Sequence, residues 1–200
     1  MGSLPKTYVT LEEYYALDEA SDAKLEYWAG QVYAMSGALR PHNLIAVNAT
    51  AELRQQLRGR PCELYGSDQR VRTGDGLNTY PDLSVACEPR FAEESERTLL
   101  NPVLIVEVLS DSTEIYDRTT KFEHYWTTAS LKEYLLISSN HMHADLFVPD
   151  GGGRWILTSA SKPEDTIELA SCDCRLKMAD LYEKIEFAQV TLIRPLGGYS

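Results

Sequence analysis

A chain of 200 residues, 44% hydrophobic and 24% charged, is long enough for one domain with a substantial core. Its formal net charge of −11, from 30 acidic against 19 basic residues, opposes non-specific attraction to a polyphosphate and excludes a protein that coats DNA. The opening "MGSLPKTYVT" has no apolar h-region and the apolar runs further along are short, so neither a signal peptide nor a membrane span is expected.

In chain order, Thr10 and Glu13 of "TLEEYYALDE" have the spacing of a capping box at a helix start. Two aromatic-rich stretches flank an Ala-Gly pair in "KLEYWAGQVYAMSG", which predicts a hairpin. "HNLIAVNATAELRQQLRG" predicts a helix with Leu44, Val47, Ala51 and Leu57 as its apolar stripe, stopped by Gly59 and Pro61. Arg54, Arg58, Arg60, Arg70 and Arg72 then outnumber Glu63 and Asp68, as a solvated helix end and strand or as a phosphate-facing patch.

Strands follow in "CELYGSDQRVRT", "YPDLSVACE" and "PVLIVEVLS". Gly74, Asp75, Gly76 and Asn78 signal the turn between the first two, and "PRFAEESERTLLN" is expected to be a charged surface loop with a turn of helix. "STEIYDRTTKFEHYWTTAS" predicts a second helix and "KEYLLIS" a further strand. "HADLFV", "GGGRWILT" and "DTIEL" predict short strands, and "MADLYEKI" a short closing helix. This order gives an α/β fold, one domain over 1–200, with extra antiparallel strands around the central elements. Cys62 and Cys87 are expected as free core thiols, and Cys172 and Cys174 lack the second ligand pair that zinc needs. That cysteine usage predicts a reducing, cytoplasmic setting.

Glu107 stands inside the apolar run "PVLIVEVL", where an ionised carboxylate without a partner is costly. Alternation puts Val103, Ile105, Glu107 and Leu109 on one face of a strand whose two faces are both apolar, hence a central strand. Asp82 opens the preceding strand after Pro81, and two such carboxylates at neighbouring strand ends can converge. Three compensations are open: an ion pair, a shared proton for acid–base work as in glycosidases, or a hard divalent cation such as Mg²⁺. Asp117, Lys121 and Tyr125, at i, i+4 and i+8, share a helix face, with Arg118 beside them. Lys121 is then either an exposed partner of Asp117 or an ammonium brought to the carboxylates.

Taken together, "TLEEY", "KLEYWAGQVYAMSGA", "PHN", "YPDLSV", "PVLIVEVLSDSTEIYDRTTKFEHYW" and "LKEYLLI" resemble the Uma-type family of restriction-endonuclease-like proteins, within the PD-(D/E)XK nuclease superfamily. The resemblance runs from about Tyr8 to the mid-180s. It implies an α-β-β-β-α-β core, a central mixed sheet flanked by helices, around a divalent-metal site. Asp82 matches the aspartate of the "PD" element and Glu107 the acidic residue of the next strand. The superfamily's lysine two residues later is replaced here by Leu109, and Lys121 occupies the matching place on the following helix. Glu26 matches a further acidic position, a third carboxylate or a surface glutamate, and His42 matches a position read as capping or packing. The implied activity is DNA phosphodiester hydrolysis with Mg²⁺, or Mn²⁺ in its place, held by Asp82, Glu107 and the Val108 carbonyl. The alternative is a nuclease-fold binding module with weak or no catalysis. A homodimer is expected, since two-fold symmetry matches a duplex, with Tyr14, Tyr15, Tyr27, Trp28 and Tyr33 either at its interface or packed over their own sheet.

Overall fold

The computed structural model describes residues 8–35, 37–92 and 95–187; most of the opening "MGSLPKTYVT" lies outside that range. The first unit contains α1 (Leu11–Ala20), β1 (Leu25–Trp28), β2 (Gln31–Ala34) and α2 (Arg40–Gln56). Strands β3 (Cys62–Gly66), β4 (Arg70–Arg72), β5 (Asn78–Thr79), β6 (Leu83–Cys87), β7 (Phe91–Ala92), β8 (Ser95–Leu99) and β9 (Leu104–Leu109) follow. Next come α3 (Glu114–Arg118), α4 (Thr120–Trp126), β10 (Glu133–Ser138), β11 (Ala144–Pro149), β12 (Trp155–Ala160), β13 (Thr166–Leu169), β14 (Cys174–Lys177) and α5 (Met178–Leu181).

One mixed sheet has the order β12-β11-β10-β9-β6-β3, a second has β2-β1-β5-β4-β8-β7, and β13 and β14 form a hairpin. The β9–β10 pairing is parallel, as a helical crossover requires. Skipping the strands of the second sheet, the chain runs α2, β3, β6, β9, α3–α4, β10, the expected α-β-β-β-α-β core. All six residues of β9 are buried. Its even-numbered side chains, Leu104, Val106 and Val108, pack with Ile45, Ala49 and Leu53 of α2. Its odd-numbered Ile105 and Leu109 pack with Val71, Tyr125 and Tyr134. Glu107 is on that second face.

Local chemistry sets the boundaries. Thr10 and Glu13 form the capping box of α1 in both directions. The β1–β2 hairpin turns through Ala29 and Gly30, both at positive φ, and a Cβ at Gly30 would collide with the Tyr8 ring.

Several expectations are corrected. The buried stripe of α2 is Ile45, Ala49 and Leu53, continued by Leu57 at its C-cap, while Val47 is 55% exposed. Apolar residues occur around most of this helix, so only packing selects the face that is buried. "CELYGSDQRVRT" is two strands in different sheets, bent at Gly66–Gln69. "PRFAEESERTLLN" carries the β7–β8 pair rather than a turn of helix, because β8 gains a parallel partner in β4. The second helix is broken at Thr119, whose φ of −122° and ψ of −91° end α3 before α4 begins. The basic patch is dispersed: Arg70 is buried against Asp18 at 2.6 Å, Arg72 bonds Asn78 and Tyr15, and Arg60 bonds the Cys172 carbonyl. Of the aromatic residues considered for a dimer interface, Tyr14 and Tyr27 are buried and stacked in their own chain.

Cys62 and Cys87 are also corrected: they are Cα partners across β3 and β6 and form a disulfide, not two free thiols. The antiparallel register brings together residues 25 apart in sequence. The reducing-compartment expectation drew on those thiols and loses that support. Cys172 and Cys174 are free and buried. Among the described residues no helix is long and apolar enough to cross a membrane.

Gly74 joins the turn before β5 to the end of α4. Its N–H donates to Thr128 Oγ1, and a Cβ there would lie 2.1 Å from the Thr127 carbonyl oxygen. Since the obstacle is backbone, Gly74→Ala is expected to destabilise the protein by about 1–3 kcal/mol. A thermal melt checks this, and an unchanged Tm would mean that this contact is not made.

Candidate active site

Asp82 immediately precedes β6, one step beyond the antiparallel pair Leu83↔Val106, so the register places it opposite Glu107. Backbone amides tie the two acids together. Asp82 N–H donates to Glu107 Oε2 at 3.3 Å, and Val108 N–H donates to Asp82 Oδ2 at 2.7 Å. His42, in the first turn of α2, approaches the same Oδ2 with Nε2 at 3.3 Å. It is not a cap, since the N-cap residue is Leu39 and no side-chain cap bond forms. Both contacts to the Asp82 carboxylate fall on Oδ2, and among the described residues no hydrogen bond reaches Oδ1.

Lys121 enters from α4. Its Nζ lies 2.8 Å from Glu107 Oε1, 3.6 Å from Asp117 Oδ1 and 3.7 Å from Glu26 Oε1. The surface-pair reading of Lys121 is therefore overturned: the residue is 3% exposed, and Glu107 4%. Leu109, at the superfamily's usual lysine position, is packed in the apolar core. Glu26 is also buried, on β1, where Thr79 and Tyr116 donate hydroxyl hydrogen bonds to it. Tyr125 donates to Glu107 Oε1 at 3.1 Å, so Asp117, Lys121 and Tyr125 do share a face, across the break at Thr119.

Three carboxylates thus contact one ammonium, and Asp82 is tied to the same strand end as Glu107. Burial raises the Glu107 pKa to about 8, with Lys121 pulling it back and Asp117 and Asp82 pushing it further up. Burial also raises that of Asp117, against the pull of Lys121. For Lys121 burial alone favours the neutral amine, but Glu107, Glu26 and Asp117 outweigh it and hold the ammonium above its ordinary range. These groups line a cleft of about 590 Å³ bounded by β1, the loop before α2, the start of β6, the end of β9 and α3.

All the sequence-predicted site residues, Asp82, Glu107, Val108, Lys121 and Glu26, therefore line one cleft. Sequence reasoning missed Asp117 as a member of the cluster and His42 as a contact of Asp82. The signal for Asp117 was its i, i+4 spacing from Lys121, which fits a solvated pair equally well. Nothing local marks His42.

The central mixed sheet, the crossover helices and the carboxylate–lysine cleft define a restriction-endonuclease-like protein. The family model described as "Putative restriction endonuclease" matches residues 11–178, and the chain belongs to that family, Uma2. It is 36% identical over 186 residues to "Uncharacterized protein slr1290" of Synechocystis sp. (strain ATCC 27184 / PCC 6803 / Kazusa), covering 92% of this chain and 97% of the relative. It is 32% identical over 164 residues to "Uncharacterized protein sll1609" of the same organism, covering 81% and 93%. A crystal structure of "a putative nuclease belonging to DUF820" from Anabaena variabilis ATCC 29413 superposes with a TM-score of 0.72 at 20% identity, over 88% of this chain and 98% of that one; this likeness concerns the fold.

The electrostatics give a prediction for the metal-free protein. Folded Glu107 binds a proton that the unfolded chain releases between pH 4.5 and about 8, so its contribution to stability falls as pH rises through that window. Lys121→Met removes the compensating ammonium. It is expected to cost about 3–5 kcal/mol at pH 8, the scale for breaking a buried pair, and clearly less at pH 5, where Glu107 retains its proton. Chelator-treated melts at the two pH values check this; equal losses at both would mean that the ammonium does not balance the cluster.

Proposed function

We propose that this protein is a Mg²⁺-dependent endonuclease hydrolysing DNA phosphodiester bonds, with Mn²⁺ as a working substitute. The observation that carries the reading is the gathering of Glu26, Glu107 and Asp117 around Lys121, with Asp82 bonded to the end of the Glu107 strand, in one open cleft.

The donor set fits a hard cation. Mg²⁺ takes one or two carboxylates and keeps several waters, and Asp82 with its unbonded Oδ1, Glu107 and the Val108 carbonyl offer such a set. Among the described residues no three His, Cys, Asp or Glu side chains form a metal-holding group. When bound, the ion polarises a phosphoryl oxygen and makes a nearby water a better nucleophile. The chain's own residues do the rest. The Val108 amide and His42 hold Asp82 Oδ2, which leaves Oδ1 without a hydrogen bond among the described residues. Lys121 orients the attacking water or meets the negative charge that develops on the phosphoryl oxygens. Glu26, secured by Thr79 and Tyr116, is a second buried partner that holds Lys121 in place.

Cleavage of plasmid and single-stranded DNA with Mg²⁺ or Mn²⁺ tests the reading. Asp82→Ala is expected to abolish cleavage, and Lys121→Ala to lower it by about a hundredfold, the scale for losing one electrostatic stabiliser. Equal background cleavage by wild type and Asp82→Ala would remove the enzyme reading. It would leave the binding module, which the net charge of −11 and the leucine at position 109 favour. The proposal includes a homodimer that addresses both strands, and a concentration-independent sedimentation mass near 22.5 kDa would exclude it.

A further inference from the structure

Among the described residues, a nucleic acid entering this cleft meets a lining with five carboxylates, two lysines and no arginine. Lys121 is committed to Glu107, Asp117 and Glu26. The other lysine, Lys24, precedes β1 and stands two residues before Glu26, so strand alternation turns both side chains to one face. Its side chain is 36% exposed. Its Nζ donates to Ser67 Oγ at 2.8 Å and pairs with Asp68 Oδ1, also at 2.8 Å. The Asp68 side chain is 96% exposed, and an ion pair so open to water holds its lysine weakly. Because Ser67 Oγ is the acceptor from Lys24, its own O–H is left to donate, and among the described residues no acceptor is bonded to it. Lys24 and Ser67 both line the cleft, beside the Tyr80 ring, whose centroid lies 6.0 Å from Nζ.

We infer that Lys24 and Ser67 form a phosphate subsite, which takes a backbone phosphate neighbouring the one presented to Asp82, Glu107 and Lys121. The inference rests on the nucleic-acid reading of the cleft. An incoming phosphate replaces Asp68 on the ammonium and accepts the Ser67 hydroxyl. This gives a polyanion one favourable contact at the outer part of a cleft that otherwise repels it. The subsite binds the backbone without reading bases, so it adds affinity and not sequence preference.

The probe is a fluorescein-labelled single-stranded oligonucleotide bound in chelator, so that no cleavage intervenes, over a series of salt concentrations. Lys24→Ala is expected to weaken binding about five- to tenfold and to reduce the slope of log affinity against log salt by about 0.7, the release of one counterion equivalent. Lys24→Arg should keep the wild-type slope, and so should Lys162→Ala, which removes an exposed lysine far along the chain from the cleft residues. Asp68→Asn should tighten binding in the wild-type background and much less in the Lys24→Ala background, because its effect runs through the freed ammonium. With metal present, Lys24→Ala should raise KM and leave kcat nearly unchanged. A wild-type slope in Lys24→Ala, or an equal reduction in Lys162→Ala, overturns the subsite. If Asp82→Ala abolishes cleavage while Lys24→Ala keeps the wild-type slope, the nuclease reading stands and the subsite falls. A Lys24-dependent slope without cleavage leaves the subsite standing and removes the enzyme.

Discussion

The contact between Lys121 and Glu107 is the interaction on which the remaining structure turns. A carboxyl group in the middle of a sheet needs a bound proton or a compensating charge close by, and β9 has no neighbour in its own sheet that supplies a cation. The compensation has to arrive from outside, on the crossover that joins β9 to its parallel partner β10. A single straight helix would present Asp117 and Lys121 in one fixed relation. The break at Thr119 instead lets α3 and α4 meet the sheet separately, and Tyr134 donates to the Asp117 carbonyl at 3.0 Å just before the break. The site thus depends on an irregularity of the crossover as much as on the strands.

The second sheet has its own part in this. It adds little to the packing of α2, but β1 delivers Glu26 and β5 delivers Thr79, which bonds it. Arg70 of β4 is buried with Asp18 of α1 and Thr98 of β8, so the N-terminal helix and this sheet are tied by a charged contact of their own. Breaking that contact would leave a buried charge unpaired, a larger penalty than the intact pair gains. The cleft lies where the two sheets approach, with one wall from each.

How much of this was legible in the sequence depends on the residue. The strand β9 could be read directly, because a six-residue apolar run has few other solutions, and the same run exposed Glu107 as an anomaly. The existence of α2 was equally plain, but not its buried face, since Val47 and Ala51 fit an apolar stripe as well as Ile45 and Ala49 do. β7 and β8 were hidden because their pairing partners lie elsewhere, β8 owing its place to β4 rather than to any local pattern. The disulfide was hidden for the same reason, since only the β3–β6 register brings Cys62 to Cys87. Lys121 could be placed near the carboxylates by family resemblance, not by its spacing. Contacts created by tertiary register are what a single sequence conceals.

Asp82 shows how such a register becomes chemistry. An isolated aspartate presents two equivalent oxygens, and a cation could take either. Here β9 spends the Val108 amide, one residue past Glu107, on Asp82 Oδ2, and α2 adds His42 to the same atom. In return Asp82 N–H bonds Glu107 Oε2, while Oε1 faces Lys121 and Tyr125. Each carboxylate is therefore oriented by the other's strand, and the two cannot shift independently. A one-residue slip of β6 against β9 would turn Asp82 to the α2 side and separate the pair. The apolar alternation that fixes the sheet register thus also fixes the carboxylate geometry, so the core and the candidate site are specified by one pattern.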